Sequence, residues 1–156
     1  MDRYIVLKDD HRYDPAKITP FEEFPVGFES KFHKTAKEQQ GLNVLGGITF
    51  NLLNPRRNSI MVCWQYVDGL FDLYFRWYSK DKEFTSDKIK SVKVDQKFEF
   101  TFDYDDDDII VYLDDEKLLI SRDDITVKNR ARFINPFLNA PASKLSWILL
   151  SRKKKK

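Results

Sequence analysis

Apolar and polar positions alternate over much of this chain. Phe98, Phe100, Phe102 and Tyr104 alternate with Glu99, Thr101 and Asp103. That period of two predicts a half-buried strand. Residues 58–78 carry a second form of the pattern. Two aromatic and β-branched runs, Asn-Ser-Ile-Met-Val-Cys-Trp-Gln-Tyr and Phe-Asp-Leu-Tyr-Phe-Arg-Trp-Tyr, lie either side of Asp68-Gly69. Asp-Gly in that setting predicts a tight hairpin, because the turn needs positive φ and glycine supplies it at little cost. Ile60, Val62, Trp64 and Tyr66 fall on one face; Met61, Cys63, Gln65 and Val67 fall on the other. Both faces are largely apolar, which predicts a hairpin in the middle of a sheet rather than at its edge.

The same reading extends along the chain. Strands are predicted over residues 4–8, 26–33, 48–53, 89–94, 98–104, 109–113, 117–120, 132–136 and 145–150. Within 26–33, Val26, Phe28, Ser30 and Phe32 are expected to point inward. Residues 9–20, with their Asp and Pro content, read as a loop, as do the polar stretch 35–43, the Asn-Pro turn at 54–58 and the charged run 79–87. There is no long amphipathic helix and no internal repeat. Short strands at this spacing predict an all-β fold, a two-sheet antiparallel jelly-roll sandwich. The expected organisation is one domain over residues 1–151 and a basic tail over 152–156.

Composition adds three constraints. Aromatic residues make up 15% of the chain, which suits sheet-on-sheet packing. A single cysteine, Cys63, excludes an internal disulfide framework and a multi-cysteine zinc site, and its place in a strand predicts a buried, inert thiol. The net charge is +2, and the five cations Arg152, Lys153, Lys154, Lys155 and Lys156 leave three net negative charges on the remainder. An acidic body with a basic tail does not describe a nucleic-acid-binding domain, so nucleic acid is expected only at the tail, if anywhere. No apolar run is long enough to span a bilayer, and the charged N-terminus lacks a signal-peptide core, so a soluble chain without a membrane partner is expected.

The candidate chemistry is sparse. Asp72, Tyr74, Arg76 and Tyr78 share one face of the second hairpin strand, with Gln65 across from them. Aromatic rings cover the C–H faces of sugars and charged groups take hydroxyls, so this face is a candidate glycan site; a protein interface rich in Tyr and Arg has the same composition. Asp103, Asp105 and Asp107 have the alternate spacing of the first ligands in a calcium loop, but without the glycine that such a loop bends on. A solvated hairpin turn competes with that cation reading. His11 and Tyr13 form a possible acid–base pair in an acidic loop, against a plain hydrogen bond to Asp10 or Asp14. His33 is expected on a solvent-facing strand position, and Arg56 and Arg57 in a solvated turn. No cofactor motif is found.

Three stretches together resemble the concanavalin-A-like superfamily of lectins, glycanases and polysaccharide lyases. Phe-Glu-Phe-Thr-Phe-Asp-Tyr, an acidic turn, and Ile-Ile-Val-Tyr-Leu-Asp-Asp-Glu-Lys-Leu are similar to its strand–turn–strand. Asn-Pro-Phe-Leu-Asn-Ala-Pro-Ala before the last strand resembles its closing segment, with Leu138-Asn139 where the family has Gly-Gly. Tyr-Ile-Val-Leu-Lys-Asp-Asp-His-Arg-Tyr, with Arg-Arg-Asn-Ser-Ile-Met-Val-Cys-Trp, resembles small sandwich proteins of Bacteroidetes and their phages. The family's Arg-x-Glu-x-Arg, Gln-x-His and Glu-x-Asp-x-x-Glu strands are absent. The resemblance therefore implies a non-enzymatic binding or structural module. The expected form is a virion accessory protein held by other protein subunits in an oligomer or larger assembly. A carbohydrate-binding module for a surface glycan is the alternative, and a lyase or glycanase comes third.

Overall fold

The computed structural model describes residues 2–7, 19–20, 24–32, 35, 41–51, 57–127, 133–136 and 145–151; for 2–7, 19–20, 28, 133–136 and 145–151 only the backbone is described. Among the described residues thirteen strands run in chain order: β1 (Asp2–Leu7), β2 (Thr19–Pro20), β3 (Val26–Phe32), β4 (Asn43–Thr49), β5 (Asn58–Val67), β6 (Leu70–Ser79), β7 (Lys82–Thr85), β8 (Lys90–Val92), β9 (Phe98–Tyr104), β10 (Asp108–Leu113), β11 (Glu116–Ser121), β12 (Phe133–Pro136) and β13 (Leu145–Ser151). They form two antiparallel sheets. One has six strands in the order β1-β13-β3-β9-β10-β11; the other has seven, in the order β2-β12-β4-β5-β6-β7, with β8 also paired to β6. The sandwich predicted from alternation is the fold, and among the described residues no helix is long and apolar enough to cross a membrane.

The core lies between the sheets and is built largely from rings. Phe32 of β3 stacks on Phe71 of β6 with ring centroids 3.8 Å apart and planes 3° from parallel. Trp64 meets Phe32 edge-on at 5.3 Å and Phe71 at 5.6 Å. Phe98, Phe100 and Phe102 are all buried, as their alternation predicts. Burying a ring of this size contributes roughly 2–3 kcal/mol, so this cluster is the main hydrophobic tie between the layers.

The hairpin of residues 58–78 is central, as its two apolar faces require. β5 is flanked by β4 and β6, and β6 by β5 on one side and by β7 and β8 on the other. Asp68 and Gly69 turn it with φ of 51° and 82°. Ile60, Val62 and Trp64 enter the core, as do Phe71, Leu73 and Phe75 opposite them. Ser30 is inward and buried, as predicted.

Three strands differ from expectation. The loop predicted over 9–20 ends in β2, a two-residue strand that pairs with β12 and is too short to show a period. The segment predicted over 48–53 is β4, which starts five residues earlier and contains the Gly46-Gly47 pair instead of following it. The β4–β5 register shifts between Val44 and Gly46, and Gly47 lies so close to β5 that a Cβ would sit 1.9 Å from the Ile60 carbonyl oxygen. Glycine here marks close strand approach, not a strand start. The charged run 79–87 contains β7, which pairs with β6. Its turn is made by Lys80 and Asp81 with φ of 51° and 71°, positions where no glycine announces the reversal.

Candidate functional site

The seven-stranded sheet has one face in the core and one facing away from it. On β6, Phe71, Leu73 and Phe75 point inward, so Asp72, Tyr74, Arg76 and Tyr78 share the outward face by strand alternation. The cross-strand register sets four rows. Gln65, Asp72 and Ser91 form the first; Cys63 and Tyr74 the second; Met61, Arg76 and Thr85 the third; Ser59, Tyr78 and Glu83 the fourth. All five sheet-face residues singled out from the sequence are brought together. Glu83, Thr85 and Ser91 join them, and the sequence reading missed these three. All three lie on short strands, β7 wholly exposed and β8 only three residues long, so no apolar period marks them in the sequence.

These side chains are tied to one another. Ser91 Oγ donates to Asp72 Oδ1 at 2.5 Å. Arg76 Nε donates to Thr85 Oγ1 at 3.4 Å and lies 3.8 Å from Glu83 Oε2. Arg76 is also next to Tyr78 on this face, and its charge acts on the phenol. Beneath them the face is tightly closed: Met61, Cys63 and Ser59 are buried although they point away from the core. Ser59 Oγ donates to Thr49 Oγ1 at 2.6 Å, which satisfies both buried hydroxyls.

Burial sets the protonation of this face. Burial pushes the Cys63 thiol up to about 12, more than Arg76 offsets, so it stays a thiol. Burial also raises Tyr78, with the Arg76 guanidinium opposing and Glu83 adding to the shift. Tyr74 is raised by burial and then by the Asp72 carboxylate. Both phenols therefore keep their protons at neutral pH and are available as donors.

The acidic turn is closed by its own side chains. Asp105 Oδ1 accepts from the backbone N–H of Asp107 at 2.9 Å and of Asp108 at 2.8 Å, and Asp103 Oδ1 accepts from Tyr104 N at 2.8 Å. The Asp108 and Asp107 amides hold the Asp105 carboxyl below its ordinary range. Arg122 donates to the Asp105 carbonyl at 2.9 Å and lies 5.3 Å over the Tyr104 ring. Asp103, Asp105 and Asp107 thus do not converge: the carboxylate of Asp105 closes its own turn, and among the described residues no three His, Cys, Asp or Glu side chains are placed to hold a metal. Arg57 pairs with Asp81 at 3.2 Å on the surface. His11, Tyr13, His33, Arg56 and the tail from Arg152 to Lys156 lie outside the described residues.

The architecture is shared with solved enzymes. An alginate lyase from Pseudomonas aeruginosa superposes with a TM-score of 0.56 at 7% identity, over 82% of this chain and 65% of the lyase. An Alteromonas alginate lyase gives 0.52 at 10%, over 94% and 75%, and one from Klebsiella pneumoniae 0.50 at 9%, over 80% and 57%. The fold is a jelly-roll sandwich. The chain spans about two thirds of the Pseudomonas lyase and less of the Klebsiella one. No family model matches the sequence, and no curated protein matches it.

These matches correct one expectation. The chain was expected to be no enzyme because the lyase and glycanase motifs are missing. Yet three solved structures that share its sandwich are alginate lyases, at identities of 7–10%. At that divergence a short motif need not survive in recognisable form, so its absence does not exclude sugar cleavage. None of the three is a virion protein, and the expected virion role gains no support from them.

Proposed function

We propose that the chain recognises a polysaccharide on the outward face of the seven-stranded sheet. The observation that carries this reading is the co-planar set Asp72, Tyr74, Arg76 and Tyr78, flanked in register by Gln65, Ser91, Thr85 and Glu83. The two tyrosines provide ring faces for sugar C–H groups, and both are protonated donors. Asp72, Glu83 and the hydroxyls of Thr85 and Ser91 supply acceptors at spacings of a strand repeat, which suits a ligand with hydroxyls along its length. The shared fold with alginate lyases supports a carbohydrate ligand for such a sandwich.

Cleavage of the glycan at the same face is the second reading. The Tyr78 phenol beside the Arg76 guanidinium favours it, because a proton donor beside a cation can serve a departing or developing anion. Affinity electrophoresis through gels holding single polysaccharides tests both readings. Retardation is expected, and Tyr74→Ala or Arg76→Ala should weaken it by about ten-fold or more, the scale of 1.4 kcal/mol. Lys117→Ala, on the exposed edge strand of the other sheet, should leave it unchanged. Equal loss in all three variants, or none, refutes this location. New reducing ends or ultraviolet-absorbing unsaturated sugars, abolished by Tyr78→Phe with retardation kept, would establish cleavage.

A further inference from the structure

We propose that this sheet face selects uncharged polysaccharides over polyuronates, an inference that rests on the glycan reading above. Among the described residues of β5–β8, the charged side chains on the outward face are Asp72, Arg76 and Glu83. Two carboxylates against one guanidinium leave the face with one net negative charge. The guanidinium is also committed: Glu83 lies 3.8 Å from it and Thr85 Oγ1 accepts from it at 3.4 Å. An incoming sugar carboxylate would have to displace Glu83 from Arg76. It would then meet Asp72 on the same strand, with no second cation on the outward face of the described strands: Lys82 and Lys90 sit at positions of the opposite face, across from Ser79 and Leu73.

A neutral sugar meets no such conflict. Its hydroxyls can donate to the Asp72 and Glu83 carboxylates and accept from the protonated phenols of Tyr74 and Tyr78 while the Arg76 pairs stay intact. Ser91 holds the Asp72 carboxylate at 2.5 Å through one oxygen and leaves the other oxygen as an acceptor. The solved alginate lyases act on a polyuronate, so the charge of this face separates the chain from them in ligand class while the fold is shared.

Isothermal titration of the full chain tests the proposal with two sets of probes: neutral oligosaccharides of glucose, mannose and xylose, and oligo-uronates of matched length. At least one neutral series is expected to bind about ten-fold or more tightly than any oligo-uronate. That affinity should change less than about two-fold when salt is raised several-fold, because no ligand charge is screened. Glu83→Gln removes one anion and frees Arg76, so it should narrow the gap by raising oligo-uronate affinity; circular dichroism confirms that the variant is folded. Oligo-uronates binding more tightly than every neutral probe, with Arg76→Ala abolishing that binding, would overturn the charge selection and leave the glycan reading standing. Binding of neither class would overturn both.

Discussion

Asn58 is the residue whose replacement tests the packing most sharply. It opens β5 and is 7% exposed. Its amide makes two bonds to one residue 68 positions away: Nδ2 donates to the Thr126 carbonyl at 2.8 Å, and Oδ1 accepts from the Thr126 N–H at 3.1 Å. The side chain thus imitates a strand partner. It pins the segment after β11, which belongs to the six-stranded sheet, onto the start of β5 in the seven-stranded one. The neighbouring backbone bond from Phe50 N to the Asn58 carbonyl, 2.9 Å, holds the other side of that corner.

Asn58→Asp keeps the shape and reverses one half of the clip. The acceptor for Thr126 N–H survives, but a carboxylate oxygen then faces the Thr126 carbonyl in a nearly buried site. Losing one bond costs about 1 kcal/mol, and burying a charge without a cation adds roughly 1–3, so a loss of about 2–4 kcal/mol is expected at neutral pH. Asn58→Ala removes both bonds without adding charge, and Thr126 is exposed enough for water to replace part of them, so about 2 kcal/mol is expected. The acid side follows from the sign of the shift. Burial raises the new carboxyl in the folded state above its unfolded value, so the aspartate variant is least destabilised in acid and loses stability as pH rises through the folded value. Urea unfolding followed by tryptophan fluorescence measures these numbers, and hydrogen exchange at the Thr126 amide locates them. An aspartate variant within about 0.5 kcal/mol of the parent, with Thr126 exchange unchanged, would refute the clip.

Three further outcomes follow from single contacts. Gly47→Ala would place a methyl 1.9 Å from the Ile60 carbonyl oxygen and 2.8 Å from Met61 Cα, both backbone, so β4 and β5 must separate; little soluble protein, or a loss above about 3 kcal/mol, is expected in expression and urea unfolding. Cys63 should resist a thiol reagent at mildly alkaline pH in the folded chain and react at once in denaturant, because its thiol is buried and pushed up to about 12. Lys90 Nζ donates to Asp114 Oδ2 at 2.6 Å, while Asp114 Oδ1 accepts from Glu99 N at 2.8 Å, so this carboxylate ties an edge strand of one sheet to a hairpin turn of the other. Asp114→Ala should cost about 1–3 kcal/mol by urea unfolding, more than Asp81→Ala at the exposed Arg57 pair, which should cost less than about 1.

The sequence carried the parts of the fold that depend on period and on glycine turns. Strict alternation at Phe98–Tyr104 and the Asp68-Gly69 hairpin are both present as predicted, because a half-buried strand and a positive-φ turn leave a mark in residue type. The failures share a cause. At β7 the reversal is made by Lys80 and Asp81, residues that signal solvent more than turn geometry, and the strand is short and wholly exposed, so no apolar period betrays it. At β4 a pair of glycines suggested a break, whereas one sits at a register shift and the other under a neighbouring strand. In the acidic turn, spacing alone could not say whether carboxylates point together at a cation or back at their own amides; the backbone path decides that, and it turns Asp105 inward on the turn.

The sheet face shows why the site was only half legible. Its β6 residues were found because they sit opposite a clean apolar set, and alternation separates the two faces without further information. The face is also cross-linked: Ser91 on β8 holds Asp72, and Glu83 and Thr85 on β7 hold Arg76. Of the three residues that set its charge, Asp72 and Arg76 lie on β6 and Glu83 lies on β7, where nothing in the β6 sequence announces it. The proposed charge selection therefore depends on strand pairing as well as on the strand that carries the arginine. Moving β7 out of register by one residue would put Phe84 where Glu83 now stands and turn Lys82 to the same face. Arg76 would lose its carboxylate partner, and the same Asp72, Tyr74, Arg76 and Tyr78 would no longer present a negative face.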